Sequence, residues 1–136
     1  MPYAQRKGFT LIELLLVVVI VGVLASLAVP KFANTKQRAA RTAGVSDLHA
    51  LLVAQERFYS ESGRYGSLAD SASLKVSLSR GNGPFVITPS GAPVGSTGFS
   101  ATVTIAGSAQ CGVFAGAASR PSGMPSDTPA STPVCW

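Results

Sequence analysis

The chain has 136 residues, a formal charge of +5, and charged side chains at only 12% of positions. One histidine, six scattered acids and two cysteines supply no triad, carboxylate dyad, metal-ligand set or cofactor motif, so an enzyme and a metal protein are not expected. The length allows one small domain beside a long apolar stretch, and the basic excess raises the question of an anionic partner.

Residues 9–29 are almost uninterruptedly apolar, about the 20 residues that a helix needs to cross a bilayer core of about 30 Å. Arg6 and Lys7 precede the run and mark its cytoplasmic side by the positive-inside rule. Glu13 is the one ionisable side chain inside it. A carboxylate at mid-bilayer costs about 2.5–3.5 kcal/mol, and an acid retained there needs a cationic partner to explain it. An ordinary secretory signal cut near Ser26-Leu27-Ala28 and an uncut single-span anchor remain alternatives. The first is disfavoured by Glu13 and by a run longer than the usual 7–15 residues. The mature N-terminus separates the three: Phe9, Val29 or Met1.

The string Lys7-Gly8-Phe9-Thr10-Leu11-Ile12-Glu13, followed by the apolar run and Pro30, resembles the class III signal of type IV pilins and pseudopilins. The resemblance implies a prepilin peptidase that cuts between Gly8 and Phe9 and methylates the new amine on Phe9. It also gives Glu13 a partner, since the cationic amine of one subunit can meet the carboxylate of its neighbour in a dry filament core. Loss of Arg6 and Lys7 with the leader would lower the formal charge from +5 to +3.

Gly22 and Pro30 weaken the first helix, glycine through its propensity and proline through its missing donor. The expectation is a helix through both in the free subunit and partial unwinding between them in a filament, the latter implied by the resemblance. Beyond Pro30, Val45, Leu48, Leu51, Leu52, Phe58 and Tyr59 form one apolar stripe at helical period. Lys36, Arg38, Arg41, Asp47, Glu56 and Arg57 fall mostly off it, with Lys31 beside the span, and Gly44 reads as a soft spot. Gly63 is the expected stop. A helix over 9–62 would be about 80 Å long. His49 reads as an edge-of-core or exposed side chain, and Phe58 and Tyr59 as the seat of the head. The segment 58–65, with Tyr65 after a polar turn, also resembles the helix end of pilins.

Residues 66–82 read as a connecting segment with at most a short helical turn, and residues 80–84 as a turn without phosphate-loop spacing. Strands are expected at 85–88, at 99–105 from strict alternation, and at 111–115, with loops at 89–98 and 106–110. Such alternation suits an antiparallel sheet with one face on the helix and one wet. The tail, residues 120–133, is rich in Pro, Ser, Thr and Gly and should form no core element alone. An even cysteine count in an exported chain points to a structural bridge between Cys111 and Cys135. The closed loop is worth about 3–4 kcal/mol in the chain-entropy model. Trp136 either packs on the sheet, the favoured reading, or is displayed.

The expected fold class is α+β: a long N-terminal α-helix packed against a small antiparallel β-sheet head, type IV pilin-like, with a C-terminal disulfide loop. The expected parts are a leader (1–8), a transmembrane or filament-core half-helix (9–30), an amphipathic half-helix (31–62) and a head (63–136) with the loop 111–135. The resemblance implies a subunit of a type IV pilus serving adhesion, twitching motility or DNA uptake. Its implied partners are further copies in a helical filament, the prepilin peptidase, an inner-membrane assembly platform and an ATPase. The precursor would be single-pass in the inner membrane and the product an extracellular pilus. Two alternatives stand. One is a type II secretion pseudopilin, disfavoured because Asp127 is the one acid in the tail and cannot build a calcium cage. The other is a minor DNA-binding pilin using Arg64, Lys75, Arg80 and Arg120, which are scattered in sequence.

Overall fold

The computed structural model describes residues 8–94, 97–105 and 109–136. Most of the expected leader and parts of the loops at 89–98 and 106–110 lie outside the described residues. Helix α1 spans Leu11–Ser62, 52 residues. The chain divides after Lys36 into two units.

In the first unit every described side chain from Gly8 to Val29 is exposed. Helix α1 is continuous through Gly22 and Pro30. The helical half of the expectation for this stretch therefore holds in the isolated chain, where backbone groups are best satisfied within the helix. It is the one helix long and apolar enough to cross a membrane among the described residues.

In the second unit the rest of α1 is followed by a 3-10 turn at Leu68–Asp70, a short helix α2 at Ser71–Leu74, and strands β1 (Phe85–Ser90), β2 (Gly98–Thr104), β3 (Gln110–Gly116) and β4 (Val134–Cys135). The sheet order is β1-β2-β3-β4, antiparallel throughout. Phe85 faces Val103, Ala101 faces Val113, and Cys111 faces Cys135. β2 alternates as its sequence demands, Phe99, Ala101 and Val103 inward. They meet Leu48, Leu51 and Leu52 of α1 in one core. Full burial of such a side chain is worth about 1.5–3 kcal/mol.

Gly63 ends α1 as expected, with φ +70° and its N–H donating to the Tyr59 carbonyl at 2.8 Å. The connecting segment does hold a helical turn, made of the 3-10 turn and α2. Two readings, on β1 and on Gly44, need correction. β1 runs on through Pro89 and Ser90, positions expected to be loop; it lies at the sheet edge, where a strand tolerates proline. The tail forms no regular element before β4, as expected, and lies down far enough to bury Met124 and Thr128. Gly44 is not a soft spot but a buried contact: a methyl group there would lie 2.8 Å from Ile105 Cγ2 and 3.0 Å from Cys111 Sγ.

Candidate functional site

The tip of α1 is built by Thr10 and Glu13. Thr10 Oγ1 accepts the Glu13 N–H at 3.3 Å, and its carbonyl accepts the Leu14 N–H at 3.2 Å. A hydroxyl three residues before an acid caps a helix start. The T-x-x-E spacing carried that signal, and the sequence reading used only Glu13. The acid falls in the first turn, where the helix dipole favours negative charge. Phe9, 85% exposed, lies just before the cap. A cation approaching this end would meet a carboxylate that, Thr10 apart, is set in an apolar surface.

The second unit holds its connecting segment by two polar side chains in the helix stripe. Gln55, 0% exposed, donates through Nε2 to the Gly66 carbonyl (2.9 Å) and accepts the Gly66 N–H on Oε1 (2.7 Å). Asp47, expected off the stripe, is buried. It accepts from Ser79 N–H at 3.0 Å, Ser79 Oγ at 2.7 Å and Asn82 Nδ2 at 2.6 Å. Both are paid for by loop hydrogen bonds, which is what permits polar burial.

At the end of α1, Tyr65 lies between Tyr59 and Phe99, ring centres 4.7 and 5.2 Å apart. Burial, helped by Glu56, raises the Tyr65 phenol above its ordinary value. His49 is exposed.

Arg64 Nη2 and Nη1 donate to Asp70 at 2.9 and 3.0 Å, and the Ser67 N–H donates to it at 2.8 Å. The Arg64 hydrogen bonds first, and the Ser67 N–H second, hold the Asp70 carboxyl well below the usual carboxylate range. A depressed carboxyl stabilises the fold above its unfolded value, about pH 4, and that stability is lost as pH falls below it. Both partners are partly exposed, so the effect is small. Asp70→Asn should lower the melting temperature at neutral pH and make a shrinking difference toward pH 2. Equal losses at both pH values in thermal melts would contradict the pairing.

Of the four scattered cations, Arg64 is committed to Asp70 and lies over Phe58. Arg120 lies over Phe114 and donates to the Thr128 carbonyl. Lys75 and Arg80 are exposed, and neither is ion-paired among the described residues. Cys111 and Cys135 are disulfide-bonded, joining β3 to β4. Trp136 packs, as favoured: a methyl at Gly112 would lie 2.9 Å from its ring.

The helix with its cap, the sheet and the stapled tail can be set beside known families. Residues 3–29 match the prokaryotic N-terminal methylation motif. Residues 30–115 match the family described as type IV minor pilin ComP, DNA uptake sequence receptor. The chain belongs to this type IV minor pilin ComP family. Among curated relatives of this pilin, the type IV major pilin protein PilA of Myxococcus xanthus is 40% identical over 78 residues, 57% of this chain and 34% of the relative. The type II secretion system core protein G of Klebsiella pneumoniae is 41% identical over 73 residues, 54% and 52% respectively. A fimbrial protein of Pseudomonas aeruginosa is 47% identical over 51 residues, 38% and 33%. The pilin thus spans about a third to a half of the length of these relatives. Its long helix, antiparallel sheet and C-terminal disulfide form a typical pilin fold.

Proposed function

We propose that this pilin is a structural, non-catalytic subunit of a type IV pilus. It is held first in the inner membrane by α1, cut between Gly8 and Phe9, methylated on Phe9, and assembled through its N-terminal helix by a membrane platform and an ATPase. The observation that carries the reading is the exposed apolar surface of α1 with a single carboxylate four residues from the new amine. Such a surface is stable in lipid or among copies of itself and nowhere in water. Lipid offers those helices little reason to associate, so their transfer into a fibre requires outside work.

The test is the mass of the chain in fibres sheared from cells: a start at Phe9 with one added methyl is expected, and an untrimmed chain found only in membranes overturns the reading. Gly8→Val should leave the precursor uncut, because a branched side chain replaces a hydrogen at the cut. Normal trimming of that variant on a mass spectrum would place the cut elsewhere.

A second reading is favoured by the family match, whose description names a DNA uptake sequence receptor. On it the head retains duplex DNA during uptake, with Lys75 and Arg80 as exposed phosphate contacts. Full-length protein in detergent should then hold DNA at low salt and release it as salt rises. No retention at low salt removes the DNA role and leaves the filament role intact.

A further inference from the structure

Beside α2, the surface of α1 opens into a groove of about 360 Å³. Val53, Ala54, Leu74 and Val76 give it an apolar floor, and Arg57 and Lys75 line it as cations with no carboxylate among the lining residues. Val53 is 72% exposed, the most exposed large apolar side chain described in the second unit. Arg57 is steadied by donating to the Ser73 carbonyl at 3.0 Å. Lys75 is the left-handed residue that ends α2.

The face of the sheet away from α1 carries the complement. Cys111 and Val113 point into the core, so Gly112 and Phe114 point the other way. Trp136 covers Gly112 and Arg120 covers Phe114, which places the tail on that outer face. There a turn closes with the Thr128 N–H donating to the Pro125 carbonyl at 3.2 Å. Thr128 is buried as its root, while Pro125, Asp127 and Pro129 are exposed. Among the described residues Asp127 has no ion pair.

We propose that the turn 125–129 of one copy seats in the Val53–Val76 groove of the next, its Asp127 carboxylate between Arg57 and Lys75. Knob and groove lie on opposite faces of one head, so no copy can satisfy itself. The contact is heterologous and propagates head to tail. A second copy fits better than a nucleic acid: phosphates would use the two cations, but only the proline rings use the apolar floor. The inference rests on the filament reading and adds to it a head-to-head register.

A photo-activatable benzophenone residue in place of the exposed Val53, in the full-length chain, tests it. Irradiated fibres should yield links to residues 121–136 of a second copy. Links to nucleic acid, to another protein or to another segment overturn the proposal, as does the absence of links in fibres that contain the variant. With the same probe, Lys75→Glu or Asp127→Lys should each lower the link yield roughly threefold, the size expected of a partly exposed pair. The double reversal should restore part of it, since Arg57 stays cationic, and a double variant as poor as the singles also overturns the proposal. Fibres lacking the chain altogether would instead count against the filament reading.

Discussion

Replacing Glu13 by alanine should leave membrane insertion and trimming largely intact and sharply reduce the amount of chain in fibres. In lipid the substitution removes a side chain whose burial costs about 2.5–3.5 kcal/mol, so anchoring does not suffer. In the proposed filament core it would leave the Phe9 amine of a neighbour without its counter-charge. Breaking a buried pair by removing one partner costs about 3–5 kcal/mol, and each 1.4 kcal/mol is tenfold in an equilibrium. Assembly should therefore fall by about two to three and a half orders of magnitude per contact. The comparison is an immunoblot of sheared fibres against membranes, with precursor and trimmed chain resolved. Native fibre yield from Glu13→Ala would mean that the acid does not set register.

The second large effect is expected at Gly44. The Cβ of a leucine there would lie 2.8 Å from Ile105 Cγ2, closer than real Cβ atoms come, and a tight 3.0 Å from the Cys111 sulfur. Neither neighbour can swing away: Ile105 is in the core, and Cys111 is fully buried and tied to Cys135. Overpacking of this kind costs about 1–3 kcal/mol or more. In a domain of about 100 residues that lowers the melting temperature by about 4–8 °C per kcal/mol. Gly44→Ala sets the same clash, in smaller measure, against a helix-propensity gain of about 1 kcal/mol. Gly22→Ala is the control, since a methyl there meets no described neighbour within 4 Å. Unchanged melting of Gly44→Leu would show that the helix and β3 are not in contact at this point.

Gly44 also shows where the sequence stops informing. Propensity alone makes a mid-helix glycine a weakness, and only the approach of Cys111 and Ile105 turns it into a requirement. Asp47 and Gln55 illustrate the same limit. Their spacing from Leu48 and Leu51 puts them on the buried stripe, but a pattern counted in apolar residues passes over them. Their partners, Ser79, Asn82 and Gly66, are distant in sequence. The apolar run, the alternation of β2 and the Gly63 stop were legible because each is a local rule of composition, period or backbone conformation. β4 was not, being two residues long with its pairing fixed by Cys111. Of the candidate site, Gly8, Phe9 and Glu13 are legible as a motif; the groove beside α2 is not, since Val53, Arg57, Leu74 and Lys75 come together only through the turn after α1.

One feature of β1 bears on how such heads can live crowded together. An edge strand is a standing invitation to a neighbour's backbone. Pro89 has no amide hydrogen to offer on that flank, so a foreign strand would find its ladder broken midway. Heads packed side by side would then touch through side chains and not through a shared backbone ladder.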